Sequence, residues 1–162
     1  MRHALIRRKA LFLDQFIDAY KRVRRRRTFP HREVQTMIRF LFPGSAFSGR
    51  GAFKTVHKVS SRERDLVLKT SNPRSLLRDE RAYRRVPPTL RNRYFAKIYW
   101  RTKYCLLQKF GVARLVPPQQ LARLKEVGER YRLTDVRPAN IRRVEGAFKI
   151  VDASLSRRRA RG

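Results

Sequence analysis

The sequence predicts an α+β fold: a twisted antiparallel sheet accompanied by one helix, followed by a smaller and more helical region. Three observations predict it. Apolar residues recur at helical spacing near the start of the chain. Between residues 46 and 110, short extended runs alternate with turn residues, and one helical stretch lies among them. A proline-opened helix and a last small hairpin follow. Hydrophobic residues make up 41% of the 162, enough to build a core and too many for disorder by composition.

Residues 3–26 read as an amphipathic helix. Leu5, Phe12, Leu13, Phe16, Ile17, Tyr20 and Val23 fall at helical spacing, with Arg7, Arg8, Lys21 and Arg22 among the polar positions. Arg24, Arg25, Arg26 and Arg27 follow as a run of like charges. Phe29-Pro30 breaks the pattern and opens a short helix with Val34, Met37, Ile38 and Leu41 on one face, ended by Pro43-Gly44-Ser45. These first 45 residues form a basic helical extension.

Extended character begins near Ala46. Gly49-Arg50-Gly51 reads as a turn between two strands, the second running from Phe53 to Val59; after a polar loop, Leu66 to Lys69 is a third. Residues 74–85 read as a helix carrying Leu76, Leu77, Glu80, Tyr83 and Arg84, stopped by Pro87-Pro88. Tyr94 to Trp100 and Lys103 to Phe110 read as a hairpin around Arg101-Thr102. Residues 46–110 therefore hold most of the extended runs, and 111–155 a helix and a last hairpin. In the latter, Pro117-Pro118 opens a helix with Leu121, Leu124 and Tyr131 apolar. Ile141 to Val144 and Ala147 to Val151 form a hairpin about Glu145-Gly146. Residues 156–162 are a basic tail containing Arg157, Arg158 and Arg159.

Charge is the outlier in composition. Against 42 Lys+Arg stand only 12 Asp+Glu, a net charge of +30. Such a chain attracts polyanions: RNA, DNA, an anionic membrane surface or an acidic protein. The single cysteine, Cys105, excludes an internal disulfide and a Cys-based zinc site, and fits a reducing compartment such as the cytoplasm. No apolar stretch reaches the length of a membrane span, and Asp14 and Asp18 interrupt what would be the apolar core of a signal peptide. His3, His31 and His57 are the only histidines, and none has ligand spacing or a neighbouring nucleophile motif, so zinc or serine-type hydrolysis is not supported.

Because acids are scarce, the placement of three polar residues carries weight. Leu133-Thr134-Asp135-Val136-Arg137-Pro138-Ala139-Asn140 is followed, after the last hairpin, by Asp152. An Asp, an Asn five residues later and a second Asp after a short apolar run is a layout suited to phosphoryl transfer. One carboxylate can take a proton from an attacking hydroxyl, and the other two groups are hard oxygen donors for Mg²⁺.

The order of glycine turn, strand Lys, helix Glu, hairpin, helix, Asp-x-x-x-x-Asn loop, hairpin and Asp resembles the protein-kinase-like superfamily over about residues 46–155. The resemblance implies a kinase-like small lobe over residues 46–110 with a reduced helical large lobe over 111–155, and ATP and Mg²⁺ as cofactors. It makes Asp135 the catalytic base, and Asn140 and Asp152 the Mg²⁺ ligands. Lys69 would contact the ATP phosphates and Glu80 would pair with it. Gly49, Gly51 and Val56 match the phosphate-covering loop, whose third glycine is Lys54 here. Gln108 to Gly111, with Phe110, match the segment that holds adenine. Asp152-Ala153-Ser154 stands where the family has Asp-Phe-Gly. Only ten residues follow Asp152, leaving no room for an activation segment or the later large-lobe helices. The resemblance thus implies a minimal kinase-like protein, its large lobe completed by a partner, by self-association or by the N-terminal helices.

Two functions from different classes follow. One is an ATP- and Mg²⁺-dependent phosphotransferase acting on a hydroxyl of a protein or an anionic small molecule. The other is a kinase-like scaffold, weak or inactive in catalysis, that binds RNA or DNA through Arg24–Arg27, Arg157–Arg159 and its other basic groups. A third reading puts the N-terminal helix on a membrane surface, although Asp14 and Asp18 dilute its basic character.

Overall fold

The computed structural model describes residues 2–50, 54–59 and 66–156; Gly51, Arg157, Arg158 and Arg159 lie outside the described residues. The described chain is α+β, with a five-stranded antiparallel sheet and five α-helices. It divides into two compact units, Met1–Leu76 with Ile98–Phe110, and Leu77–Lys97 with Gly111–Gly162.

In the first unit, α1 (Arg2–Val23) buries Ile6, Ala10, Leu13 and Ile17 at the spacing of one helical face. It ends before the expected residue 26 because Arg25 turns left-handed, at φ 50°. The N–H of Arg26 then donates to the Lys21 carbonyl at 3.0 Å and that of Arg25 to the Arg22 carbonyl at 3.3 Å, a cap usually built on glycine. Helix α2 (His31–Leu41) follows Pro30 and buries Val34 and Ile38.

The sheet joins β1 (Ala46–Arg50), β2 (Lys54–Lys58), β3 (Leu66–Ser71), β4 (Ile98–Arg101) and β5 (Cys105–Lys109) in the order β1-β2-β3-β5-β4. The turn expected at Gly49-Arg50 is instead strand: Gly49 lies opposite Val56 and Arg50 opposite Thr55, with a register irregularity between Phe47 and Gly49. Strand β3 runs two residues beyond Lys69, because Thr70 and Ser71 still find partners on β2. Alternation then gives the sheet two distinct faces. One carries Leu66, Leu68, Cys105 and Leu107, which share a single apolar core with Ile6, Ala10, Leu13 and Ile17 of α1 and Val34 and Ile38 of α2. The N-terminal helices therefore back the sheet. Of the apolar stripe expected on α1, Leu13 and Ile17 are buried in this core and Phe16 packs against it, whereas Leu5, Phe12 and Val23 are exposed, because the buried face is centred on Ile6, Ala10, Leu13 and Ile17. The opposite face carries Gly49, Val56, Lys69 and Leu106 in one cross-strand row.

Helix α3 (Pro73–Arg85) starts where Asn72 Oδ1 accepts the Ser75 N–H at 2.9 Å, with Pro73 in the first helical position. Pro87-Pro88 does more than stop it. Pro88 opens α4 (Pro88–Tyr94), whose first backbone bond runs from Arg91 to the Pro87 carbonyl at 2.8 Å. The strand expected from Tyr94 consequently begins only at Ile98.

The second unit continues with α5 (Pro118–Arg130), β6 (Leu133–Thr134), a 3₁₀ turn over Pro138–Asn140, β7 (Ile141–Val144), β8 (Ala147–Ile150) and β9 (Ser154–Leu155). The β7–β8 hairpin closes through Glu145 and Gly146, both at positive φ (50° and 84°), the conformation of a two-residue hairpin turn. The Ala96 N–H donates to the Ile150 carbonyl at 2.9 Å, attaching the segment after α4 to β8.

Candidate active site

Asp135, Asn140 and Asp152 all belong to the second unit, and backbone hydrogen bonds bring them together. Strand β6 pairs antiparallel with β9, Thr134 opposite Ser154, which fixes the residue before Asp135 beside the residue two after Asp152. The Thr134 hydroxyl adds a bond to the Ser154 carbonyl at 3.2 Å. Asp135 then turns into the left-handed region, at φ 65°. Aspartate is among the few side chains that tolerate this conformation, at a cost of about 1 kcal/mol or more.

Asn140 holds that turn in place. Its Nδ2 donates to the Asp135 carbonyl at 2.9 Å, while its own carbonyl accepts the Val151 N–H at 2.9 Å. One side chain and one peptide group of Asn140 thus tie the loop at Asp135 to the segment entering Asp152. With Nδ2 committed to the loop, Oδ1 is the atom of this amide left as an oxygen donor. The Asp135 side chain is exposed; Asn140 and Asp152 are half-buried.

Two glycines position this strip. A Cβ on Gly128 of α5 would stand 2.8 Å from Cγ2 of Val136, the residue after Asp135. A Cβ on Gly111 would stand 2.5 Å from the Arg142 Cβ and 2.7 Å from the Val144 Cγ2, next to the paired Val112 and Arg143 backbones. Each bare Cα permits a close approach that a side chain would block.

In the first unit, Lys69 is 5% exposed in the central strand, flanked by Val56 on β2 and Leu106 on β5. Gln108 is buried opposite Val67 and Ile98. The Lys58 ammonium lies 3.9 Å above the Phe110 ring, and directly after Phe110 the chain passes into the second unit. Gly49 has open space where a side chain would stand.

Glu80, in α3, pairs with Arg84 one turn on at 2.8 Å. Its neighbour Asp79 is the more deeply buried carboxylate, at 5% exposed. Motif spacing singles out Glu80 and passes over Asp79, whose burial follows from the inward face of α3 that it shares with Leu76, Ala82 and Tyr83. Arg24, Arg25, Arg26 and Arg27 are all exposed.

Among the described residues, no group of three or more His, Cys, Asp and Glu side chains is placed to hold a metal ion. Asn140 and Asp152 offer two hard oxygen donors, a set that fits Mg²⁺ sharing its coordination with phosphate and water. No protein-family model, curated protein or solved structure matches the chain.

Proposed function

We propose that the protein is an ATP- and Mg²⁺-dependent phosphotransferase of the protein-kinase-like superfamily, acting on a hydroxyl of a protein or an anionic small molecule. The observation that carries this reading is the pinning of Asp135 by Asn140 beside the segment that delivers Asp152. Magnesium would neutralise charge on the transferring phosphates. Asn140 Oδ1 and the Asp152 carboxylate would hold it, and Asp135 would orient the acceptor hydroxyl and take its proton. Lys69 and Glu80 keep the roles that the resemblance gives them. ATP dependence and the buried, reduced Cys105 suit the cytoplasm.

The test is Mg²⁺-dependent ATP binding and turnover in wild type, Asp135→Ala and Asp152→Ala. Binding retained in Asp135→Ala, with turnover lost in both variants, supports the reading; turnover unchanged in either rejects it. Glu80→Gln is read beside Asp79→Asn, because Asp79 is the more buried of the two carboxylates.

The exposed Arg24–Arg27 run favours a second reading, a kinase-like scaffold that binds RNA or DNA. It requires RNA affinity that falls steeply with salt and is unchanged by Asp135→Ala.

A further inference from the structure

Helix α1 carries apolar residues on two opposite faces. Ile6, Ala10, Leu13 and Ile17 are buried against the sheet, whereas Leu5, Leu11, Phe12 and Val23 are 55%, 48%, 52% and 78% exposed. At 3.6 residues per turn, Leu5, Phe12 and Val23 share one line along the helix, and Leu11 lies about 100° round from Phe12, with Arg8 and Arg22 in the outward arc between them. No acid lies within this arc; Asp18 borders it, next to Leu11. Asp14 is buried against the turn between β4 and β5, and Asp18 is held by Lys103 and Tyr104. Beside the N-terminal half of the helix runs a groove of about 420 Å³ lined by His3, Ala4, Arg7, Arg8, Leu11 and Trp100.

From this arrangement we propose that the outward face of α1 docks on an anionic membrane surface, with the helix lying in the plane of the bilayer. Leu5, Leu11, Phe12 and Val23 enter the boundary between headgroups and acyl chains. Arg7, Arg8 and Arg22 stay at the level of the lipid phosphates. Complementarity of charge selects this occupant. A second copy of the chain would bring the same arginines face to face across a two-fold axis. A nucleic-acid backbone would engage the arginines and leave the aliphatic and aromatic side chains in water. Among the described residues no helix is long and apolar enough to cross a membrane, so α1 lies on the surface. Of the two acids that dilute the basic character of this helix in sequence, Asp14 is buried against the β4–β5 turn, and Asp18, at the edge of the docking arc, is paired with Lys103. The proposal does not rest on phosphotransfer, and Asp135→Ala leaves it unaffected.

The test is co-sedimentation of the full chain with vesicles of phosphatidylcholine alone and of phosphatidylcholine mixed with phosphatidylglycerol. Trp100 is the only tryptophan, so its emission reports on the groove directly. Binding to the anionic vesicles alone is expected, with Trp100 emission shifted to the blue and quenched by acyl-brominated phosphatidylglycerol. The double variant Leu11→Ser, Phe12→Ser keeps the charge, and should weaken vesicle binding about tenfold or more while leaving RNA binding and the urea midpoint unchanged. Three results would overturn the proposal: no binding to anionic vesicles, undiminished binding by a folded double variant, or an equal loss of its RNA binding.

Discussion

The carboxylate of Asp14 accepts the backbone N–H of Tyr104 at 2.9 Å, joining α1 to a turn ninety residues away in sequence. The same carboxylate accepts the Lys103 N–H at 2.9 Å and the Thr102 hydroxyl at 3.1 Å, so one acid satisfies three donors of the β4–β5 turn. Burial raises its pKa, and the bonds from Tyr104, Thr102 and Lys103 act in the opposite direction. Asp18, one turn further on, bonds Lys103 and Tyr104 at the surface.

The two acids should therefore differ in weight. Asp14→Ala leaves buried N–H groups without an acceptor and should cost about 2–3 kcal/mol in urea unfolding. The Asp18–Lys103 pair is 38% and 51% exposed in its side chains. Breaking it by Asp18→Asn should cost less than about 1 kcal/mol. Equal losses would mean that Asp14 is not the anchor of this turn.

His57 should make stability depend on pH. Its ring is buried, neither nitrogen has a hydrogen-bond partner among the described residues, and burial with the nearby charge of Arg39 lowers its pKa from 6.5 to about 4. The unfolded chain thus takes up this proton at higher pH than the folded one. The stability contributed by neutral His57 is complete above about pH 6.5 and is lost towards pH 4, up to about 3 kcal/mol. Asp14, with its raised pKa, titrates in the opposite sense. The comparison of wild type with His57→Phe cancels the Asp14 contribution and isolates the histidine. A difference in unfolding free energy that stays constant from pH 7 to about pH 4 would contradict the assignment.

Arg25 occupies a backbone position that favours glycine. Its φ of 50° closes the end of α1. Arg25→Gly should stabilise the protein by about 0.5–1 kcal/mol, read as an increase in thermal midpoint. A decrease would show that the arginine side chain makes a contribution larger than the strain.

Gly128 should be coupled to Val136. Alanine at 128 gains helix propensity of about 1 kcal/mol, yet its Cβ would stand 2.8 Å from the Val136 Cγ2. Gly128→Ala should give a net destabilisation of about 1–2 kcal/mol, most of it recovered in Gly128→Ala, Val136→Ala relative to Val136→Ala alone. Additive losses in this double-mutant cycle would show that the two sites do not touch. Because Val136 follows Asp135, the single variant should also lower any phosphotransfer rate.

Much of the fold was legible where the signal is local. Helices α1, α2, α3 and α5 follow from apolar spacing, α2 and α5 also from the prolines that open them, and the β7–β8 hairpin from Glu145-Gly146. Helix α4 was not legible, because Pro87-Pro88 reads equally well as the end of one helix and the start of another. The β6–β9 pair was hidden for a different reason. Two residues on each side carry no periodicity, and their partners lie about twenty positions apart.

By itself, the sequence determined the α+β class, the basic charge and the order of Asp135, Asn140 and Asp152, since each is a property of composition or short-range pattern. Only the tertiary structure decided that Asn140 pins the Asp135 turn, that α1 and α2 back the sheet, and that Asp14 serves a distant turn. Those outcomes depend on which donors and apolar faces are left without local partners. Long-range packing assigns those partners, and the spacing of residues along the chain does not encode them.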